Sequence, residues 1–272
     1  MLQTKELNVW DPLKYLEEEP SPVCLERLKR GIFDFVAKPP PRLFIVPEES
    51  DITRIHVLML GAPGSPYEGG AFQFFIKCPP DYPVNPPRVR FLTTDGGRVR
   101  FHAHLCTTGM VCLSTLGTVN AGPGWDPAQS LSSTLLSIQE LLGQRPLDEF
   151  VREARAGDAA NYDIFIQHET IRVAVCDQVD AAFREDAQCP PAFRKVILES
   201  FLELYAKYER TVKARLHQTG WQLWDPLGYK YTTAQYETLL MRLRSLKDKV
   251  KEKEEAETAA AACVASAAVV YQ

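Results

Sequence analysis

One short stretch of the chain brings histidine and cysteine side chains together at close spacing. Residues 102–106 read His-Ala-His-Leu-Cys, and a further thiol follows at Cys112. A cysteine thiolate is an effective nucleophile, and an imidazole can donate a hydrogen bond or accept a proton. Cys112 follows Gly109 in a glycine-containing segment, where a thiol can be reached from solvent, yet a free cysteine is most often a buried apolar side chain. The residue types alone therefore leave a nucleophilic and a structural role of Cys112 open.

Two other kinds of site use the same side chains. One is a zinc site, since imidazole and thiolate are zinc ligands, but the spacing here lacks the usual closely paired ligands. Its candidate ligands are His102, His104, Cys106 and Cys112. The other is a cysteine hydrolase, which also needs an orienting acid and a substrate cleft, and no residue pattern marks either. We therefore expect neither a metal ion nor hydrolase chemistry at this site.

The cysteine count and the net charge limit the cellular setting and the partners. The 272-residue chain has seven cysteines, an odd number, at wide spacing and without a Cys-x-x-Cys pair. This pattern argues against a disulfide framework and favours reduced thiols in the cytoplasm or nucleus. The formal net charge of −4 argues against nucleic acid as a partner, because phosphate binding needs clustered Lys and Arg. No segment reads as a secretory signal or as a membrane span of about 20 apolar residues, so no membrane partner is expected.

The hydrophobic periodicity of the first half predicts an α+β layout. Residues 23–37 carry apolar side chains at helical spacing and end at three prolines, which predicts a helix. Short runs rich in Val, Ile and Phe, separated by Gly and Pro turns, predict an antiparallel meander of four strands. These strands are expected at residues 43–46, 52–60, 71–77 and 88–92. Residues 95–127 look irregular, and residues 128–142 form the next predicted helix.

The second half of the chain is predicted to be helical. Helices are expected at about residues 158–184, 191–217 and 233–251, followed by a disordered tail rich in Lys and Glu and then in Ala. The sequence Trp-Asp-Pro-Leu occurs at residues 10–13 and 224–227 and predicts two similar turns. The chain is thus expected to comprise a lead-in at 1–22, a core domain at 23–180, a helical extension at 181–251 and a tail at 252–272.

Three stretches, in their order and spacing, resemble the ubiquitin-conjugating enzyme family. They are Pro-Tyr-Glu-Gly-Gly at 66–70 with the proline-rich corner at 79–87, Gly-Met-Val-Cys-Leu-Ser at 109–114, and Trp-Asp-Pro-Ala-Gln-Ser at 125–130. Residues 169–177 and the helical extension resemble the Z subfamily of that family. The resemblance covers most of residues 10–250. It implies a ubiquitin-conjugating fold, with a four-stranded antiparallel sheet flanked by helices and a C-terminal helical extension.

The resemblance also implies a thioester enzyme. By this resemblance, Cys112 is expected to accept ubiquitin or a ubiquitin-like modifier from an activating enzyme and to pass it to a lysine of a protein substrate, usually with a ubiquitin ligase docked. ATP is consumed by the activating enzyme, so no bound cofactor is expected. The alternative is an inactive binding module with the same fold, because the usual His-Pro-Asn of the family reads His-Ala-His at residues 102–104.

Roles for nearby side chains follow from the same resemblance. His104 stands where the family has an asparagine that supports the oxyanion or the loop, and an imidazole can also donate a hydrogen bond. The alternative is a purely structural His104. His102 is expected to brace the loop. Asp148 and Glu149 fall near the acidic gate of the family, where a carboxylate helps to deprotonate the incoming lysine.

Two surfaces for partner proteins are implied as well. Val84 lies in one loop, and Pro127 and Ala128 in another, at the positions where the family docks ligases. Many members carry an aromatic side chain at the position of Val84. Lys29 and Arg30 lie on the first helix, where the family meets its activating enzyme. The extension is expected to act in partner recognition, because conjugation chemistry needs only the core domain.

Overall fold

The chain divides into two compact units. The computed structural model describes residues 10–120, 122–143, 157–184 and 189–269. The first unit comprises Met1–Ala174 together with Gln222–Thr232, and the second comprises Val175–Trp221 together with Thr233–Gln272. The division therefore falls between residues 174 and 175, and residues 222–232 return to the first unit. Among the described residues, no helix is both long enough and apolar enough to cross a membrane.

An antiparallel sheet of four strands forms the centre of the first unit, in the order β1-β2-β3-β4. The strands span Leu43–Pro47, Arg54–Leu60, Ala71–Lys77 and Arg88–Phe91. One row of paired residues crosses the sheet from Ile45 through Val57 and Phe74 to Phe91. The last three of these side chains are buried, so this face of the sheet contributes to the core. The predicted meander is confirmed, with small shifts at the strand ends.

The described residues of the first unit form three α-helices, namely α1 (Pro22–Ala37), α2 (Leu131–Glu140) and α3 (Asp158–Glu169). Helix α1 begins where the Ser21 side chain accepts a hydrogen bond from the backbone N–H of Cys24. Helix α2 begins with a capping box in which the side chains of Ser130 and Ser133 each accept from the backbone N–H of the other. This cap explains why α2 starts three residues later than predicted.

The second unit is built of helices, with α4 (Gln178–Phe183), α5 (Pro191–Ala214) and α6 (Tyr236–Val269). A π-helical segment, Thr170–Asp177, precedes α4. Phe193 and Phe201 of α5 and Leu243 of α6 are buried, so the two packed helices bury their apolar stripes together. Helix α6 continues to Val269, where the sequence predicted a disordered tail from residue 252. Alanine, lysine and glutamate are strong helix formers, which accounts for the difference.

A two-stranded hairpin interrupts the second half, which was predicted to be helical. Strands β5 (Gln222–Asp225) and β6 (Lys230–Thr233) flank a turn in which the Asp225 side chain accepts hydrogen bonds from two backbone N–H groups at 3.0 Å each. The Asp11 side chain accepts in the same way from Leu13 at 3.2 Å. The two Trp-Asp-Pro-Leu copies therefore form similar turns, as predicted. Only Leu223 and Asp225 are buried within β5, which left too weak a strand pattern for the sequence to predict.

Candidate active site

Cys112 lies on a short β-hairpin inside the segment 95–127, which was expected to be irregular. Its backbone N–H donates to the carbonyl of His104 at 2.8 Å. Further along, the N–H of Cys106 donates to the carbonyl of Met110 at 2.9 Å. A turn of residues 107–109 connects the two sides. The backbone around the thiol is therefore held by regular antiparallel pairing.

Gly109 fixes the distance between this hairpin and the sheet. It has a φ of +94°, and its N–H closes the turn by donating to the Cys106 carbonyl at 2.9 Å. Its own carbonyl accepts from the N–H of Phe91, at the end of β4, at 2.8 Å. A Cβ atom at this position would lie 2.8 Å from the Phe91 oxygen. A side chain here is therefore disfavoured both by the backbone conformation and by the close approach of β4.

The hairpin has one buried face and one face that carries reactive side chains. Leu105 and Val111 form an antiparallel bridge and are both fully buried. Successive residues of a strand point to opposite faces, so His104, Cys106 and Cys112 share the other face. Cys112 is 9% exposed, and its Sγ lies 3.4 Å from Sγ of Cys106. Two thiols therefore stand where the sequence predicted a single nucleophile.

The hydrogen bond between the two thiols changes their acidity. Donation from Cys112 stabilises the Cys106 thiolate and lowers the pKa of Cys106 to about 6, while the same bond, together with burial, raises the pKa of Cys112. The positive charge of Arg100 favours the thiolate of both residues. Because a proton can pass between two sulfur atoms in contact, the single negative charge belongs to the pair. Near neutral pH the two thiols therefore form a singly ionised pair.

The first ionisation of the pair is expected near pH 6, and it requires both thiols. Cys106→Ala and Cys112→Ala should each abolish it, because the remaining buried thiol loses the donor or acceptor that stabilised the charge. Thiolate absorbance near 240 nm, followed across the pH range, measures the step. Cys106→Ser is the matched control, since its hydroxyl keeps a donor in place. A step near pH 6 that survives in both alanine variants would contradict the shared charge.

His102 braces the strand that precedes the thiol pair. Its Nδ1 accepts from the backbone N–H of His104 at 3.1 Å, and its carbonyl accepts from the N–H of Leu105 at 3.0 Å. The side chain is 4% exposed. Burial, with smaller contributions from the charges of His104 and Arg100, lowers the pKa of His102 to about 3. The ring is therefore neutral at physiological pH, and its position fits the predicted bracing role.

The depressed pKa of His102 makes stability fall as the solution is acidified. The unfolded chain binds a proton near pH 6.5, whereas the folded chain resists protonation until about pH 3. Between pH 7 and pH 5 this difference costs about 2 kcal/mol of unfolding free energy. His102→Asn, whose side-chain oxygen can still accept from His104, should show a pH dependence smaller by that amount. Urea unfolding of both proteins at the two pH values measures this difference. An equal loss of unfolding free energy in both proteins would contradict the linkage.

His104 lies directly across the hairpin from Cys112. Its ring stacks on that of His102, with centroids 5.6 Å apart and planes inclined by 27°. Ala103 occupies the position of the family's proline. Its carbonyl accepts a hydrogen bond from Nη2 of Arg100 at 2.6 Å. The segment that departs from the family pattern is therefore fixed by an imidazole, a guanidinium and the pairing with Cys112.

Two buried tyrosines anchor the chain just before this segment. The hydroxyl of Tyr67 donates to the carbonyl of Phe101 at 2.5 Å, and the hydroxyl of Tyr162 donates to the carbonyl of Arg100 at 3.0 Å. Both tyrosine side chains are fully buried. Tyr67 belongs to the Pro-Tyr-Glu-Gly-Gly stretch and Tyr162 to α3. The Pro-Tyr-Glu-Gly-Gly stretch therefore helps to hold the backbone that leads into the candidate site, through the hydrogen bond from Tyr67 to Phe101.

The stretch at residues 169–177 supports the same region from another side. Arg172 forms ion pairs with Glu169 at 2.5 Å and with Asp95 at 2.6 Å. Glu169 is buried, and Asp95 has a φ of +53° in the turn that leads to the active-site segment. Buried charges are tolerated when they are paired, as they are here. The residues that suggested the Z subfamily thus include a structural brace for the site.

The two loops predicted to dock ligases lie side by side. Nε1 of Trp125 donates to the carbonyl of Pro83 at 2.7 Å, which joins the loop of Val84 to the loop of Pro127 and Ala128. Val84 is 68% exposed, and the other two residues are exposed as well. Lys29 and Arg30 are both exposed on α1. Asp148 and Glu149 lie outside the described residues.

The described part of the chain gives no support to a metal site. Within it, no group of three or more His, Cys, Asp or Glu side chains could hold an ion. The zinc alternative for the four His and Cys residues therefore has no geometric basis. The hydrolase alternative pairs Cys112 with His102 or His104 as its base, whereas the Cys112 thiol hydrogen-bonds with the thiol of Cys106.

The sequence pattern does not predict two residues of the site as functional partners. It marks Cys106 only as a candidate metal ligand, and it does not mark Arg100. The turn signal was present, because Thr-Thr-Gly at residues 107–109 can close a hairpin that brings Cys106 beside Cys112. No comparable signal marks Arg100, whose placement depends on contacts with residues distant in sequence.

Comparison with known proteins agrees with this geometry. The ubiquitin-conjugating enzyme family profile matches residues 27–164. The chain is 45% identical over 257 residues to ubiquitin-conjugating enzyme E2 Z of Xenopus tropicalis, covering 92% of this chain and 80% of that relative. It is 46% identical over 253 residues to the Homo sapiens protein of the same name, covering 91% and 70%. Ubiquitin-conjugating enzyme E2 T of Xenopus laevis is 35% identical over 125 residues, covering 46% and 62%.

The chain therefore belongs to the ubiquitin-conjugating enzyme family. The predicted fold, the resemblance to the Z subfamily and the activity as a ubiquitin-conjugating enzyme are confirmed. Ubiquitin, an activating enzyme and a ligase are its partners in general terms. The reading as an inactive binding module is not favoured over the enzyme.

Proposed function

We propose that Cys112 carries the modifier as a thioester. The Cys112 thiolate attacks the thioester carbonyl of the modifier on the activating enzyme, a new S–C bond forms, and the thiolate of the activating enzyme leaves. A lysine amine of the substrate then attacks the same carbonyl, its nitrogen loses a proton to a base, an amide forms, and Cys112 leaves as a thiolate. The observation that carries this proposal is the position of Cys112 on the reactive face of a hairpin fastened to β4, with a thiol partner at 3.4 Å.

A charging assay tests this proposal. The reduced full chain is incubated with an activating enzyme, ATP and Mg²⁺, and either ubiquitin or a ubiquitin-like modifier, and then run on a non-reducing gel. We expect an adduct of one modifier that disappears on treatment with dithiothreitol. Several activating enzymes should be compared, since the cognate one is itself part of the proposal. Absence of a thiol-sensitive adduct with all of them would overturn it.

His104 is proposed to support the second step, the transfer to lysine. Its backbone is paired with that of Cys112, and its ring shares the face of the thiol. A donor aimed at the developing oxyanion stabilises the tetrahedral intermediate, and an imidazole N–H can serve as that donor. Charging depends less on this donor, because exchange of one thioester for another is chemically easier than attack by an amine.

His104→Ala is therefore expected to slow lysine discharge by roughly 10- to 100-fold while changing the extent of charging little. Single-turnover discharge of the preformed thioester to free lysine measures the effect. His104→Asn, which restores the family residue, is the control and should discharge much faster than the alanine variant. A His104→Ala protein that discharges normally would remove His104 from the mechanism.

We further propose that the acidic pair Asp148 and Glu149 helps to deprotonate the incoming lysine by accepting its proton as a general base. The joined loops of Val84 and of Pro127 and Ala128 suit a ligase, since all three residues are exposed. The absence of an aromatic side chain at Val84 weakens or alters that contact. Lys29 and Arg30, exposed on α1, suit the activating enzyme.

A reducing compartment, the cytoplasm or the nucleus, is proposed as the site of action. Its support is that the described cysteines are all free and that the mechanism needs a reduced thiol. ATP is proposed to act only through the activating enzyme, with no cofactor held by this chain.

A further inference from the structure

We propose that Cys106 and Cys112 form a reversible intramolecular disulfide when a hydroperoxide oxidises the enzyme, and that this bond prevents charging. The bond makes the pair an oxidation-sensing modification site. Its effect on activity rests on the proposed role of Cys112, whereas formation of the bond does not.

The geometry of the hairpin favours this bond. The two Sγ atoms are 3.4 Å apart, and a disulfide needs about 2.05 Å, so modest side-chain rotation and backbone adjustment must close the gap. Cys106 pairs with Met110 and Cys112 with His104, which makes the two cysteines diagonal neighbours on one face. The Cα atoms of diagonal partners in an antiparallel pair are somewhat farther apart than those of two cysteines joined by an unstrained disulfide. The bond is therefore expected to be readily reduced by small thiols, as suits a regulatory disulfide.

The ionisation of the pair supplies the reactive species. One thiolate of the pair attacks the peroxide, which cleaves the O–O bond, leaves a sulfenic acid on that sulfur and releases water or an alcohol. The second thiol then attacks the sulfenic sulfur, and water leaves. Two thiols and one hydroperoxide thus give one disulfide, one water and one further water or alcohol. The hydroperoxide is the oxidant and takes both electrons.

The other described cysteines are poor competitors. Cys24, Cys78 and Cys176 are buried to 1% exposure or less, and Cys189 is buried at 4% exposure. Burial raises the pKa of Cys24 to about 11 and that of Cys176 to about 12, and it raises the pKa of Cys78 as well. A buried protonated thiol reacts slowly with peroxide. Oxidation of the described thiols is therefore expected to be selective for the hairpin pair.

The consequence follows from the role of Cys112. A sulfur atom engaged in a disulfide cannot attack the thioester of the activating enzyme. Reduction returns the thiolate, so the enzyme is restored without new synthesis. Without Cys106, a sulfenic acid on Cys112 has no resolving thiol at hand and proceeds to sulfinic acid, which small thiols do not reduce.

The experiment uses the reduced full chain treated with hydrogen peroxide, split into a mass-spectrometry sample and a charging sample. No Lys or Arg lies between Arg100 and Arg145, so one tryptic peptide carries both Cys106 and Cys112 and no other cysteine. That peptide is expected to lose two hydrogen atoms and to resist iodoacetamide. Charging is expected to fall at least 10-fold and to return after dithiothreitol.

Two variants give the proposal its controls. Cys106→Ser, which keeps a hydrogen-bond donor but cannot form the bond, should lose charging to peroxide without recovery in dithiothreitol. Cys189→Ser, which removes a buried thiol of the second unit, should behave like the natural chain. Three outcomes would each overturn the proposal. The natural chain could be inactivated with sulfinic acid and no internal disulfide, or it could form a disulfide between two copies of the chain. Alternatively, the charging activity of Cys106→Ser could recover fully in dithiothreitol. If the reduced natural chain fails to charge at all, the role of Cys112 is refuted while the mass test still decides the bond.

Discussion

Cys112→Ser is expected to convert the charged enzyme from a thioester to an ester that survives dithiothreitol, and Cys112→Ala is expected to abolish charging. A serine hydroxyl is a weaker nucleophile than a thiolate, so the ester should form slowly, but it is also far less reactive toward amines and should accumulate. Discharge to lysine should therefore fall by at least about 1000-fold in the serine variant, which makes this the largest effect on activity. Non-reducing gels with and without dithiothreitol, followed over time, measure both changes.

The matched control is Cys106→Ser, because Cys106 is the thiol in contact with Cys112 at 3.4 Å. We expect this variant to form an adduct that remains sensitive to dithiothreitol. If Cys112→Ala still carries a thiol-sensitive adduct and Cys106→Ser does not, then Cys106 is the acceptor. The pair of variants therefore decides which sulfur forms the thioester. This must be tested because the two thiols share one negative charge, so either sulfur can be the thiolate.

Much of the fold could be predicted because its signals are local. The four strands of the first unit carry dense Val, Ile and Phe runs between glycine and proline turns, and the ends of α1 are marked by Ser21 and by three prolines. The β5–β6 hairpin was missed because its strands are short and mostly exposed. The continuation of α6 was missed because charge and alanine content were taken as signs of disorder, although both suit a helix.

The site was only partly predictable for a different reason. Cys112 and His104 were found through motif resemblance, which states the residue types but not their surroundings. The contact with Cys106 depends on the turn at residues 107–109, and the position of Arg100 depends on Tyr162 and on Ala103. These contacts join residues whose spacing follows no helical or strand period. Acidity, which decides how Cys112 reacts, is therefore a property of the fold and could not be read from the motif.

Gly109→Ala is expected to destabilise the protein by about 2 to 4 kcal/mol. Alanine is strained at a φ of +94°, and its Cβ would lie 2.8 Å from the Phe91 oxygen and 3.0 Å from the side chain of Arg90. The hairpin must move away from β4, which displaces Cys112 and His104 together. Charging should therefore fall along with the midpoint of unfolding in guanidinium chloride.

Gly117→Ala separates the two causes of that loss. Gly117 has a φ of +66°, and apart from its chain neighbours no described residue would lie within 4 Å of an added Cβ, so the backbone conformation is what opposes alanine there. A cost of about 1 kcal/mol is expected, with charging retained. The excess cost of Gly109→Ala over Gly117→Ala then measures the close approach of the hairpin to β4. Equal costs would mean that the hairpin can shift freely, in which case the contact between Gly109 and Phe91 does not position the thiol pair.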